Sequence, residues 1–352
     1  MEFFGATIFG ALESGALMAV AAVAFVVGLV AIIKGGDWFV DSASWFAEAT
    51  GIPKFVVGAT VVSFATTLPE LLVSVRAAMQ GSAQLAIGNA VGSVTANTTL
   101  IMGVSLVAMA GVIKRKSFSL KAGLLLGAAI ALTLISMGGA LPTWSAFVLW
   151  AIFLTFMISN LIEGKKAAEG DEIDSYEKKE IPSKLLFFIL GTAGIVIGAE
   201  LLVGSGQTIA KGMGISEAII GFTVIALGTS LPELVTTVTA IKKKEAGLSV
   251  GNIIGANIID LTLILPVCAI IGGEALPVTT ANLTFDFPVC IVACAIAVIP
   301  TIIQGRFKKW QGVALLSVYA GYMLMLVLNE VGVVTLGGAT PSDATAAFVS
   351  MF

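Results

Sequence analysis

Two short stretches put acids where acids are expensive. Thr66-Thr67-Leu68-Pro69-Glu70 and Thr229-Ser230-Leu231-Pro232-Glu233 each set a carboxylate and two hydroxyls around a proline, inside runs apolar enough to cross a bilayer. An ionisable side chain at that depth costs about 2.5–3.5 kcal/mol even on the gentler insertion scales, which makes it a marker of function. Proline adds a second effect. Pro69 has no N–H to give the carbonyl of Ala65, four residues back, and Pro232 does the same to Gly228. In lipid, a freed carbonyl must be satisfied inside the protein or by a ligand. Thr66 and Glu70 share one helix face, with Thr67 adjacent; Gly228, Thr229, Ser230 and Glu233 repeat the arrangement. Such a set of carboxylate, hydroxyl and carbonyl oxygens suits a hard cation such as Ca2+, which takes six to eight of them. Zinc or copper would call for nitrogen or sulfur.

A second pair of stretches follows the first at the same interval. Gly88-Asn89, Gly92-Ser93 and Asn97 are matched by Gly251-Asn252, Gly255-Ala256 and Asp260. Glycines four apart let neighbouring helix backbones approach closely. The polar residues fall at i, i+4 and i+8, close to one face. Asn97 and Asp260 read as site residues. Asn89 and Asn252 serve equally well as polar contacts between helices.

Holding these groups at depth requires a membrane scaffold. Of the 352 residues, 57% are hydrophobic and 12% charged, with a mean hydropathy of +1.02; soluble domains keep about 25% charged. The chain therefore reads as an all-α polytopic membrane protein. Ten apolar runs of spanning length are predicted near 14–34, 53–79, 84–112, 118–140, 143–162, 184–206, 216–241, 247–272, 283–303 and 311–329. The charged stretch 163–183 divides them five and five, giving a first repeat over 1–162, a second over 184–330 and a tail over 331–352. Lys34, Asp37, Arg76 and Glu200 are expected near helix ends, snorkelling to water, and Asp286 at the interface. Cys268, Cys290 and Cys294 read as small buried hydrophobes. The N-terminal run leads straight into the first span, with no signal-peptide cleavage pattern expected. Histidine is absent and no phosphate-binding loop pattern occurs. Nothing points to an enzyme, a resident cofactor, nucleic acid or an obligate protein partner.

The doubling extends beyond the two motifs. At a constant offset of 163, segments 58–103 and 221–266 share 18 of 46 positions without a gap. Five spans per copy is an odd number, so the second copy enters from the opposite face as an inverted repeat. Lys and Arg gather in the loops after spans three, five, seven and nine, which places those loops, 163–183 among them, in the cytoplasm of a plasma-membrane protein. Both termini are then extracellular.

At these residues the chain resembles the cation/calcium exchanger superfamily, in its prokaryotic sodium/calcium exchanger branch. The resemblance covers both repeats, Ala65–Glu70 with Gly88–Asn97 and Gly228–Glu233 with Gly251–Asp260. It implies an antiporter that exchanges Ca2+ for Na+ by alternating access. Glu70 and Glu233 would share one Ca2+ with backbone oxygens of Thr66 and Thr229. Flanking Na+ sites would use Ser63, Thr66, Thr67 and Glu70 on one side, and Ala226, Thr229, Ser230, Ser93 and Glu233 on the other. Asn97 and Asp260 would complete the centre. The chain departs from the family pattern at Thr67, Val94 and Ala256, the last replacing a serine that would give a hydroxyl to a sodium site. An H+/Ca2+ antiporter on the same fold remains the alternative, followed by K+-dependent exchange and a cation channel.

Overall fold

The computed structural model describes residues 14–109, 111, 115–168, 178–213, 228, 230–273, 275–330 and 333–336. Helices α1 (Ser14–Thr50), α2 (Lys54–Thr66), α3 (Leu68–Met79), α4 (Ala83–Ala108), α5 (Arg115–Ser136) and α6 (Ser145–Ala168) form the first part. Helices α7 (Ile181–Gly212), α8 (Leu231–Lys242), α9 (Ala246–Ile271), α10 (Asn282–Gln304) and α11 (Lys309–Glu330) form the second. Among the described residues, eight helices are long and apolar enough to cross a membrane, or nine if α2 and α3 form one broken span. Of the expected run 216–241, the described part is α8, which is too short to enter this count; residues 216–227 and 229 are outside the described set, as is most of 331–352.

The break between α2 and α3 follows from Pro69. Helix α2 stops at Thr66, Thr67 takes φ −85° and ψ 1°, and α3 restarts with Pro69 in its first turn, where no N–H is needed. The two segments meet at 47°. Ser230 precedes α8 with nearly the same angles, φ −87° and ψ 7°, and Pro232 occupies the same place. Asn97 and Asp260, also 163 residues apart, each open a π-helical turn, Asn97–Ile101 and Asp260–Ile264. Such turns widen a helix locally and cluster at functional positions.

Helices α4 and α9 run through the interior, with α2 and α3 packed across them and α10 and α11 outside. Close approach of α2 to α9 depends on Gly251 and Gly255. A Cβ on Gly251 would collide with the carbonyl oxygen of Phe55, and one on Gly255 would lie 2.5 Å from both Ala59 O and Ser63 Oγ. Backbones this close exclude lipid from the polar interior.

Helices α1 and α7 pair along their length at the periphery. They are longer than the apolar runs 14–34 and 184–206 suggest: 37 and 32 residues, or about 55 and 48 Å at 1.5 Å per residue. A hydrocarbon core of about 30 Å accommodates such helices by tilting them. Lys34, Asp37 and Glu200 therefore lie well inside helices rather than near their ends. Asp37 and its neighbour Asp41 meet Lys243, at 3.6 and 2.7 Å. Asp286 stands near the start of α10. It lies half-buried at the end of a π-helical turn, and its carboxylate accepts from Asn282 Nδ2 at 2.8 Å and from Tyr322 OH at 3.0 Å.

The fold is not purely helical. Strands β1 (Ala140–Pro142) and β2 (Ala275–Pro277) pair antiparallel, with Leu141 opposite Leu276, and Val278 N donates to Gly139 O at 2.9 Å. This ladder ties the α5–α6 connection to the α9–α10 connection. At the other pole Phe307 N donates to Gly111 O, and Lys54 meets both Glu48 and Glu245 at 2.7 Å. Lys121, 1% exposed, is paired with Glu163 at 2.8 Å and stands over the Phe55 ring. Glu163 belongs to α6, which carries helix on to Ala168, six residues into the stretch read as a loop.

Gly251→Val should disrupt the α2–α9 contact, since overpacking a filled interface costs about 1–3 kcal/mol. A lower melting temperature in detergent is the expected result, and unchanged melting would show the contact to be loose.

Candidate functional site

The broken helix delivers its polar residues to one place. Ser63, Thr66 and Thr67 come from the end of α2, Glu70 from the first turn of α3, and Ser93 and Asn97 from α4. Ser230 precedes α8, Glu233 stands in its first turn, and Asp260 begins the π-turn of α9. All nine are buried; Glu70, Glu233 and Asp260 show no exposed surface. Thr229 and Ala226 lie outside the described residues.

Hydrogen bonds join these elements across the repeat. Thr67 Oγ1 donates to Ser63 O at 2.6 Å and approaches Glu233 Oε1 at 3.4 Å. Thr66 Oγ1 donates to Asn252 Oδ1 at 3.1 Å. Ser230 Oγ lies 3.4 Å from Ser93 Oγ. The carboxylate of Glu70 is within electrostatic reach of Glu233 and Asp260. The hydroxyl-rich end of the α2 segment thus faces the acid of the other half, an arrangement that local sequence spacing does not reveal.

Five of the six carboxylate oxygens of Glu70, Glu233 and Asp260 are buried with no hydrogen-bond partner among the described residues, as are both side-chain polar atoms of Asn97. Buried polar groups in folded proteins are nearly always bonded, and like charges gathered in a low dielectric repel strongly. The cluster is therefore short of positive charge and of donors. A hard cation meets this need. Among the described residues no three acidic or sulfur side chains lie close enough to ligate one metal by themselves. An ion here would also need hydroxyl and backbone oxygens, the donor set present around Thr66 and Thr67.

Several residues that support the acids were not marked as site residues by the sequence. Asn89 Nδ2 donates to the carbonyl of Glu70 at 3.1 Å and to Ser74 Oγ at 2.8 Å, joining α4 to the first turns of α3. Asn257 Nδ2 donates to Thr98 Oγ1 at 2.8 Å, joining α9 to α4. A signal for Ser74 was available: its counterpart at the repeat offset, Thr237, also carries a hydroxyl.

Comparison with known proteins adds to this geometry. The family described as sodium/calcium exchanger protein matches residues 20–161 and 183–328. An uncharacterized membrane protein of Methanocaldococcus jannaschii is 32% identical over 302 residues, covering 84% of this chain and 94% of its own. The sodium/calcium exchanger MaX1 of Methanosarcina acetivorans is 31% identical over 340 residues, covering 85% of this chain and 96% of its own. Among solved structures, the sodium–calcium exchanger NCX_Mj soaked with Na+ and Sr2+ superposes with a TM-score of 0.77 at 28% identity. That alignment covers 87% of this chain and 99% of the other.

Neutralising one unpartnered acid should stabilise the protein when no cation is offered. Glu70→Gln is expected to raise the melting temperature by about 2–4 °C in chelator with choline as the only salt cation. A fall would mean that the carboxylate has a protein partner.

Proposed function

The chain belongs to the sodium/calcium exchanger protein family, and from that membership we propose that it exchanges Ca2+ for Na+ across the plasma membrane by alternating access. The observation that carries this reading is the cluster of buried carboxylate oxygens left without hydrogen-bond partners among the described residues. An empty centre holding two ionised glutamates is costly to close away from water. One Ca2+, or two or more Na+, compensates that charge, so loaded states close and cross while the empty one does not. Glu70 and Glu233 hold Ca2+ with backbone oxygens of Thr66 and Thr229. Asn97 and Asp260 complete the centre. Ser63 and Thr67 on one side, and Ala226, Ser230 and Ser93 on the other, flank it as Na+ sites.

Ten spans in two inverted repeats, 1–162 and 184–330, are supported by parity. β1 and β2 pair, so they lie on one face, and an even number of crossings must separate them. Helices α6, α7 and α9 account for three; α8, the offset counterpart of α3, is the inner part of the fourth. The same parity holds for Gly111 with Phe307. With the basic loops in the cytoplasm, 163–183 is cytoplasmic and both termini are extracellular.

The hydroxyl missing at Ala256 has a substitute. Ser63 Oγ packs against Gly255, the residue before Ala256. At the repeat offset the pair is reversed, alanine at 226 and serine at 93. Of these paired positions, each flanking site thus keeps one hydroxyl, on opposite helices.

Two experiments test the reading. In proteoliposomes given a Na+, K+ or H+ gradient in turn, Ca2+ uptake should follow Na+ alone, and Glu70→Gln and Glu233→Gln should each abolish it. Uptake driven by a pH gradient without Na+ would make the protein an H+/Ca2+ antiporter. Ser63→Ala should raise the half-saturating Na+ concentration about tenfold, and Ser63→Ala with Ala256→Ser should recover most of the loss. No change in Ser63→Ala removes that residue from the Na+ site.

A further inference from the structure

Counterparts in two repeats should have the same neighbours, and at one place they do not. In the first half, Asn89 Nδ2 donates to the Glu70 carbonyl and to Ser74 Oγ. The same positions in the second half are Asn252, Glu233 and Thr237. There, neither bond forms. Asn252 Nδ2 and Thr237 Oγ1 are both buried without a partner among the described residues. Asn252 turns instead to the other repeat, its Oδ1 accepting from Thr66 Oγ1 at 3.1 Å.

Both halves hold the amide, the acid-bearing turn and the hydroxyl, and among the described residues only the first half joins them. A buried donor without a partner is costly, so an unmade bond between a conserved-offset amide and hydroxyl is stored capacity rather than idle space. Inverted repeats give that asymmetry a meaning. Their symmetry axis lies in the membrane plane, so exchanging the two conformations turns a site open to one face into a site open to the other. Resting on the inverted-repeat exchanger reading above, we propose that Asn89 and Asn252 are a reciprocal pair of positioning residues whose bonds trade places as access alternates. In the state described, Asn89 holds the acid-bearing turn of α3 against α4, while Asn252 leaves α8 and binds α2 through Thr66. In the opposite state, Asn252 binds the Glu233 carbonyl and Thr237, and Asn89 releases the Glu70 carbonyl and Ser74. Because Glu70 and Glu233 stand in the turns being held and released, the exchange shifts the two acids relative to α4 and α9 in opposite senses.

The hydroxyl partners separate the two states cleanly. Ser74→Ala removes a bond made only in the state described. Thr237→Val removes one made only in the opposite state, and deletes an unpartnered hydroxyl in this one. In proteoliposomes of defined orientation, the apparent KM for Ca2+ is measured from each face for the full-length protein. The ratio between faces should move about threefold to tenfold, in opposite directions for the two variants, and return near the parental value in the double variant. A merely structural role would lower flux equally from both faces. Ratios moving together, not moving, or failing to cancel would overturn the proposal. Hydrogen–deuterium exchange in cation-free micelles reads the same bias without transport: peptides from α3 and α8 should change in opposite senses in the two variants. Parallel or absent changes overturn the pair even if the parental protein moves no Ca2+, the result that would end the exchanger reading instead. Thr237→Ala replaces Thr237→Val if the latter fails to fold.

Discussion

Carboxylates gathered where water cannot reach them impose the constraint on which this architecture depends. Glu70, Glu233 and Asp260 have no exposed surface, and the desolvation of even one ion is expensive unless paired. The presence of these acids in both repeats, with hydroxyls at the same spacing, fits the proposed reading in which cations supply the counter-charge. The helix breaks serve the same end. Ending α2 at Thr66 brings the last residues of one segment and the first turn of the next to a single point, so hydroxyls and a carboxylate converge without a loop crossing the membrane interior.

The scaffold around that point is built from small residues for a related reason. Polar backbone in the interior must be shielded from lipid, and close helix contact does so. Gly251 and Gly255 allow α9 to touch α2 along the stretch that leads to Ser63. The glycines at 88 and 92 occupy the same places in the other repeat, but a Cβ on either meets no atom within 4 Å among the described residues, so the close contact is seen on the α9 side.

Much of this was legible beforehand because the relevant signals are local and doubled. Proline followed by glutamate, glycines four apart, and a constant offset of 163 are all readable without coordinates, and the structure places Ser63, Thr66, Thr67, Glu70, Ser93, Asn97, Ser230, Glu233 and Asp260 in buried positions on the elements they belong to. Helix length was not legible. Apolar runs measure the lipid-crossing part of a helix, while α1 continues through Asp37 and Asp41, whose carboxylates meet Lys243. The β1–β2 ladder escaped because three-residue strands carry no periodicity, and an Ala-Leu-Pro triplet names no partner. The cross-repeat bonds of Thr66 and Asn252 were hidden for a different reason: offset arithmetic pairs equivalent residues, and equivalent residues are those least in need of touching.

Strong and weak joints are distributed in a way that suits the proposed cycle. Lys121 is almost fully buried against Glu163, and breaking such a pair by removing one partner costs about 3–5 kcal/mol; α5 and α6 are thereby fixed to each other. The ties from α1 to the α8–α9 connection are of another kind. Lys243 and Asp41 are 27% and 59% exposed, and exposed ion pairs contribute about 0–1 kcal/mol. The ion pairs themselves add little to the attachment of α1, which rests on apolar packing of Phe39, Val40 and Ala43 against Val57, Val62 and Ala240. In the proposed cycle the decision to move then rests with the buried acids and the cations that would neutralise them, since Glu70, Glu233 and Asp260 show no exposed surface.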